Sequence, residues 1–350
     1  MQKLIIKGKK KLSGSITISG SKNASLPILA ASILNIKPIT IKNIPLVNDV
    51  FTMIKLLKFI GLKVEVSKAT NTLKISRKSK KLLTVAPYNL LKTMRAGVLV
   101  LGPLLAKFYK AKVSLPGGCA IGTRPVDLHL FALEKLGAKI KIKNGYIHAI
   151  TKKGLRGNKI NFPSVSVGAT ENAILAASCA EGTSIISNCA IEPEILDMIN
   201  FLNKMGCNIK FTGKRKIKII GTTILKPTTH RVIFDRIELG THLIAATLIG
   251  KKIRLLKINP KIIKNEIKVL KKMGVKMKIE KDQILVYETG LIKKTNIKTE
   301  PYPGFPTDLQ AQMMVLMSRA DGTSTIKENI FENRFMHVPE LRRMGAKIRT

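Results

Sequence analysis

One segment type recurs five times along the 350 residues, and it constrains the fold more than any single motif does. It is an amphipathic helix, a hinge of Leu, Met or Ile followed by Gly, and a short basic strand. The copies read VFTMIKLLKFIGLKVEV, VDLHLFALEKLGAKIKI, ILDMINFLNKMGCNIKF, IIKNEIKVLKKMGVKMKI and FMHVPELRRMGAKI. Their hinge glycines are Gly61, Gly137, Gly206, Gly274 and Gly345, at spacings of 76, 69, 68 and 71 residues. A glycine in that place ends a helix in the left-handed conformation before the chain turns into a strand. Repetition at a steady period is the signature of an architecture assembled from one supersecondary unit.

A second kind of helix precedes each copy, rich in small apolar residues: NASLPILAASIL, MRAGVLVLGPLLA, ATENAILAASCA, RIELGTHLIAATLI and DLQAQMMVLM. Helices apolar nearly all round are buried. Four of the five are followed by a turn and a β-rich run, ITIKNI, TSIISN, KIRLLK and TSTIKEN. Each repeat therefore reads helix, strand, helix, strand, and the fold class is α/β with the small-residue helices inside and sheets around them. The length suggests about two domains. Two domains of three repeats would need a sixth, roughly 70 residues more by the repeat period. The chain reaches Thr350 a few residues into the strand that closes the fifth. The expectation is a second domain lacking its last repeat and less stable than the first, with apolar helix surface left uncovered.

Composition narrows the class. Hydrophobic residues make up 45% of the chain, which excludes an intrinsically disordered protein. Lys and Arg number 62 against 21 Asp and Glu, a formal net charge of +41. Such a field draws anionic partners. A dedicated nucleic-acid surface is a competing reading, but the lysines are dispersed along strands and helix faces. With five Tyr and no Trp, platforms for stacking bases are scarce. No C-x-x-C pair or Cys/His cluster indicates zinc or a disulfide framework. No signal-like apolar stretch opens the chain, and no run approaches the roughly 18 apolar residues of a membrane helix. A reducing cytoplasm is the simplest location.

The chemistry gathers at Leu115–Leu130, LPGGCAIGTRPVDLHL. Gly117, Gly118, Gly122 and Pro116 surround Cys119 in a stretch that forms no regular element. Arg124-Pro125 then precedes an apolar-periodic run, where Pro suits a first helical turn. A thiol near an arginine and a helix start has a depressed pKa, which suits a nucleophile or proton relay. The alternative is a glycine-rich hairpin holding a packed cysteine.

With repeats and loop in hand, seven ordered motifs carry a resemblance: GSKNA (20–24), TMRA (93–96), PGGCAIGTRPVDLH (116–129), SVGATEN (166–172), DRIELGT (235–241), FPTDLQAQ (305–312) and FENRFMHVPEL (331–341). Over essentially its whole length the chain resembles the UDP-N-acetylglucosamine enolpyruvyl transferases of the EPSP synthase-like superfamily. The resemblance implies a two-domain inside-out α/β barrel of repeated βαβα-type units, five of six visible. It implies a first domain over 23–230 carrying the Cys loop and a discontinuous second domain, 1–22 with 231–350. The active site would lie between them. The implied reaction moves an enolpyruvyl group from phosphoenolpyruvate to the sugar 3′-hydroxyl of UDP-N-acetylglucosamine, by addition and then elimination of phosphate. No metal or organic cofactor is implied, nor a membrane or specific nucleic-acid partner. The shikimate-pathway enolpyruvyl transferase, with the same fold and another acceptor, is the nearest alternative; the Cys119 loop and RPVDLH argue against it. A further alternative is a truncated, weakly active or inactive remnant of the enzyme, because the resemblance implies that a sixth repeat supplies one more arginine for phosphoenolpyruvate, and poor turnover is the expectation that follows.

Residue by residue, the resemblance assigns the phosphoenolpyruvate phosphate to Lys22, with Asn23 beside it. The place of Lys22 between a Gly-Ser turn and a buried helix fits, since anions favour helix N-termini. Arg124 offers a planar clamp for phosphate or carboxylate. Arg95 opens an otherwise apolar helix and calls for an anionic partner; the resemblance places it near the nucleotide sugar. The uridine nucleotide falls to Arg124, Pro125, Val126, Asp127 and Leu128, to Ser164, Val165, Ser166 and Val167, and to Ile330 with Phe331. Ser164 stands where some members carry lysine, which leaves that loop without the lysine's charge. Cys119 is the implied general acid toward the methylene carbon, open to alkylation by the epoxide fosfomycin. Asp308 is the implied general base for the 3′-hydroxyl. Read from position alone, Asp308 is a helix N-cap. Asp235, Arg236 and Glu238 are expected to orient the site.

Overall fold

The structure is a computed structural model that describes residues 5, 7–8, 10–77, 81–117 and 126–350. Cys119, Arg124 and Pro125 lie outside the described residues. The chain divides into two compact units, Ser19–Ile233 and Met1–Ile18 with Phe234–Thr350. Each has its own apolar core.

In the unit Ser19–Ile233, three small-residue helices pack on one another at the centre. They are Lys22–Ala31, extended by a 3-10 turn at Ser32–Leu34; Arg95–Val100, a 3-10 stretch running into the α-helix Leu101–Phe108; and Val167–Ala177. Every residue from Ala24 to Ala31 and from Ala169 to Ala177 is buried. Small side chains make this possible. A Cβ on Gly102 would lie 2.3 Å from Asn172 Oδ1 and 2.7 Å from the Asn172 carbonyl oxygen, so only glycine allows the second helix to approach the third. The hinge helices Asn48–Ile60, Asp127–Lys135 and Pro193–Lys204 follow. The other unit repeats the plan with small-residue helices Arg236–Ile249 and Gln310–Met317, and hinge helices Lys264–Lys272 and Val338–Arg343.

The five hinge glycines all have left-handed backbone, with φ of 115°, 96°, 105°, 88° and 94° in chain order. An L-residue there is opposed by roughly 1–2 kcal/mol of Cβ–carbonyl crowding, which is why the repeat is written in glycine.

Four four-stranded sheets share one topology. The strand after the small-residue helix pairs in parallel with an edge strand, which comes from just before that helix in two sheets and from a distant stretch in the other two. On its other side it pairs antiparallel with the last strand of its repeat, which pairs antiparallel with the strand after the hinge. In the first repeat Ile39–Lys42 lies parallel to Thr228–Arg231 and antiparallel to Thr72–Arg77, which borders Leu62–Ser67. In Leu62–Ser67, Leu62 and Val64 are buried and Lys63 and Glu65 exposed, the period-two alternation of a half-buried sheet. The fifth repeat shows the parallel pair Asn296–Lys298 and Thr325–Lys327.

A strand follows all five small-residue helices, where the sequence pattern marks four. The unmarked one is Lys110–Ser114. Its turn is the single residue Tyr109, at φ 62°, with no Gly, Pro or Asn to signal it.

Candidate active site

Among the described residues singled out in the sequence, Lys22, Asn23, Arg95, residues 164–167 and Asp308 fall at the N-termini of small-residue helices, Val126, Asp127 and Leu128 at the start of a hinge helix, and Ile330 after a strand. Ser21 caps the first small-residue helix and accepts from Ala24 N–H at 3.2 Å. Lys22 and Asn23 are the first two helical residues. Lys22 Nζ pairs with Asp49 Oδ2 at 3.1 Å, an aspartate in the first turn of the neighbouring hinge helix. Arg95 opens the second helix. Ser166 caps the third, accepting from Ala169 N–H at 3.3 Å. Ser164 is exposed, Val165 half-buried, and Val167 the first helical residue. Val126 precedes the helix that Asp127 and Leu128 begin.

Two buried side chains bring three of these segments together. Asn172 Nδ2 donates to His129 Nδ1 at 3.1 Å and to the Val98 carbonyl at 3.2 Å, while Asn172 Oδ1 accepts from Gly102 N–H at 2.8 Å. A Cβ on Gly168 would meet His129 Cε1 at 3.1 Å. The segment opened by Arg95, the helix holding Val126–Leu128 and the start of the Ser166-capped helix thus meet around His129 and Asn172. Burial, and then the charge of Arg95, pushes the His129 imidazole down to about 4. The neutral ring can accept at Nδ1, as this geometry requires.

On this helix and on the segment around Pro193–Lys204 lie buried acids to which the sequence reading gave no role. Glu171, Glu192 and Glu194 are each under 7% exposed. Burial, and then the neighbouring charges of Glu194 and Glu192, holds the Glu171 carboxyl well above the carboxylate range. Asp197 Oδ1 faces His230 Nε2 at 3.0 Å and its Oδ2 accepts from Ile233 N–H at 3.2 Å, anchoring the strand Thr228–Arg231. The signal available was an acid inside an apolar run, as in SVGATEN and AIEPEILD.

In the other unit Asp235 is an N-cap, accepting from Ile237 N–H at 2.8 Å and Glu238 N–H at 3.0 Å. Arg236 is buried, with its guanidinium 5.5 Å from the centre of the Tyr302 ring. Asp308 corrects the positional expectation. It lies within the 3-10 turn Thr307–Leu309, whose N-cap residue is Pro306, and it caps nothing. Its Oδ1 instead accepts from Arg334 Nη2 at 2.7 Å. The N-cap reading fails because the chain enters this helix through a 3-10 turn, one residue earlier than the motif spacing suggests. Ile330 and Phe331 follow the strand Thr325–Lys327, and the Arg334 guanidinium sits 5.5 Å from the Phe331 ring centre. In the sequence the only signal for Arg334 is an arginine inside the FENRF motif.

Among the described residues no group of three or more His, Cys, Asp or Glu side chains could hold a metal ion. No described helix is long and apolar enough to cross a membrane.

Comparison with known proteins gives this geometry a lineage. Residues 6–350 match the family model EPSP synthase (3-phosphoshikimate 1-carboxyvinyltransferase). The chain is 60% identical over 348 residues to UDP-N-acetylglucosamine 1-carboxyvinyltransferase of Pelagibacter ubique (strain HTCC1062), covering 99% of this chain and 83% of that protein. It is 52% identical over 349 residues to the protein of the same name from Ruthia magnifica subsp. Calyptogena magnifica, again 99% and 83%. Among solved structures, the enolpyruvyl transferase NikO from Streptomyces tendae superposes with a TM-score of 0.83 at 20% identity, over 96% of this chain and 79% of that one. An EPSP synthase from Acinetobacter baumannii gives 0.70 at 18% identity, over 92% and 75%. Repeats, sheet order and this whole-length match agree, and the chain belongs to the EPSP synthase family of carboxyvinyl (enolpyruvyl) transferases.

Proposed function

We infer that this chain transfers the enolpyruvyl group of phosphoenolpyruvate to the 3′-hydroxyl of UDP-N-acetylglucosamine and releases phosphate, the step that opens peptidoglycan precursor synthesis. One observation carries the reading: 60% identity over 348 residues to a relative that bears that acceptor in its name. The step is assigned to the cytoplasm, in keeping with the lack of a described helix long and apolar enough to cross a membrane.

The chemistry needs anion binding, one proton taken from oxygen and one given to carbon. The hydroxyl oxygen adds to C2 of phosphoenolpyruvate, its proton goes to a base, and C3 gains a proton. The tetrahedral phospholactoyl adduct then loses phosphate and a C3 proton to leave the enol ether. Asp308 is the base and Cys119 the acid toward C3. Lys22 and Arg124 hold phosphate, with Asn23 beside Lys22 and Arg95 toward the nucleotide sugar. Helix N-termini suit this work, since their free N–H groups and dipoles favour negative charge. Residues 124–128, 164–167 and Ile330 hold the uridine nucleotide.

Calorimetric titration of the protein with UDP-N-acetylglucosamine, and separately with shikimate 3-phosphate, tests the acceptor. Phosphate release with phosphoenolpyruvate present tests the chemistry. Binding of the nucleotide sugar, and release dependent on it, are expected; binding of shikimate 3-phosphate alone would overturn the reading.

A further inference from the structure

One side chain near Asp308 makes more hydrogen bonds than any role assigned above requires. Glu328 follows the strand Thr325–Lys327. Its Oε1 accepts from Thr299 Oγ1 at 2.8 Å, from Ile330 N–H at 2.8 Å and from Phe331 N–H at 3.2 Å. Its Oε2 accepts from Thr307 Oγ1 at 2.9 Å. Thr299 Oγ1 also accepts from Asn329 N–H at 3.0 Å, closing the loop onto the parallel strand Asn296–Lys298. One oxygen therefore shapes the turn that presents Ile330 and Phe331, and the other grips the residue before Asp308. The Asp308–Arg334 pair forms a second tie between the same two segments.

We propose that Glu328 is a positioning residue that sets the Asp308 turn against the Ile330–Phe331 loop, and so registers the base with the acceptor it deprotonates. The proposal rests on the reading of Asp308 as the base and Ile330 as part of the acceptor pocket. A carboxylate suits the post because its two oxygens accept several hydrogen bonds in one plane and donate none. Four donors from three separate stretches fill it. Glutamine can keep the arrangement, with Oε1 toward the loop amides and Nε2 donating to Thr307 Oγ1, whereas leucine cannot. Within the site itself, misplacement of a catalytic group by about 1 Å is worth on the order of 10²-fold in rate.

The test compares Thr307→Val and Thr307→Ser with Glu328→Leu and Glu328→Gln in the whole chain. Thr307→Val keeps the side-chain shape and cuts only the link to Asp308. It is expected to lower kcat by about tenfold or more, as a shifted catalytic group does, with KM for phosphoenolpyruvate unchanged. Thr307→Ser restores the rate. Glu328→Leu raises KM for UDP-N-acetylglucosamine as well, and Glu328→Gln restores most of both. A substrate-free readout separates this idea from the functional reading: amide hydrogen exchange at Ile330 and Phe331 quickens in Thr307→Val and Glu328→Leu, but not in Thr307→Ser. Wild-type kcat and wild-type exchange in a folded Thr307→Val overturn the proposal, even if Glu328→Leu fails to fold. If wild-type protein releases no phosphate with UDP-N-acetylglucosamine, the functional reading falls and the exchange result alone decides whether Glu328 couples the two segments.

Discussion

Arg334 Nη2 donates to Asp308 Oδ1 at 2.7 Å across 26 residues of sequence, with Arg334 the more deeply buried partner at 18% exposure. A guanidinium is always charged and holds a fixed fork, so it fixes where the carboxylate points. If Asp308 takes the acceptor proton, Arg334 governs its aim without touching that proton. Arg334→Met is expected to reduce kcat on the order of 10²-fold, the usual scale for disturbing a general base. Arg334→Lys should recover only part of this, because an ammonium lacks the fork. Steady-state kinetics with the acceptor varied checks it; a kcat within twofold of wild type in Arg334→Met would remove Arg334 from the mechanism.

The cysteines give a second test. Burial pushes the thiols of Cys179 and Cys189 up to about 11 and that of Cys207 to about 12. At pH 7.5 each then holds on the order of one thiolate in several thousand or fewer, and only the thiolate attacks an epoxide. Brief exposure to fosfomycin followed by peptide mass spectrometry is therefore expected to find the added mass on Cys119. Equal modification of Cys179 or Cys207 would contradict both the burial argument and the assignment of Cys119 as the reactive thiol.

What the sequence made legible was whatever the backbone forces a residue type to do. Gly61 and its four counterparts announce themselves because few other residues accept left-handed backbone. The buried helices show through because Ala, Gly and Ser are what close helix packing requires. Parallel edge strands were not legible: Thr228–Arg231 joins Ile39–Lys42 from almost 190 residues away, and nothing local encodes the pairing. At the site, motifs located Lys22, Arg95 and Asp308 on helix starts, whereas the capping of a helix by Ser166 emerged only in the structure. The partners that orient side chains were hidden, since Asp49 beside Lys22, Arg334 beside Asp308 and Asn172 beside His129 are relations between distant stretches.

His129 makes stability depend on acid. Its imidazole is held down to about 4, by burial first and the Arg95 charge second, against an ordinary value of 6.5. The folded state thus resists protonation that the unfolded chain accepts. The contribution is present above about pH 6.5 and is lost as pH falls toward 4, amounting to about 3 kcal/mol at most. Protonation also removes the Nδ1 acceptor that Asn172 uses. Thermal melts of wild type and His129→Gln at pH 7 and at pH 4.5 isolate this group from the titrating acids around it. The variant should lose less stability on acidification than wild type does; equal losses would place His129 in a wetter site than the one described.

Glu171 makes the opposite demand, and its test runs the other way along the pH axis. The side chain is 5% exposed inside the small-residue helix Val167–Ala177. Burial raises its carboxyl well above the ordinary 4.5, and the neighbouring Glu194 and Glu192 raise it further. A raised folded-state value means that the native protein holds a proton which the unfolded chain releases. Stability from this group is whole below about pH 4.5 and drains away as pH rises toward the folded-state value. Glutamine has the shape and hydrogen-bonding capacity of the protonated acid and nothing to ionise. Glu171→Gln should therefore differ little from wild type at pH 5 and be the more stable protein at pH 8, with the gap in Tm widening steadily between. A gap that stays constant from pH 5 to pH 8 would mean that the Glu171 carboxyl is already ionised in the folded protein, held by a cation rather than neutralised by burial.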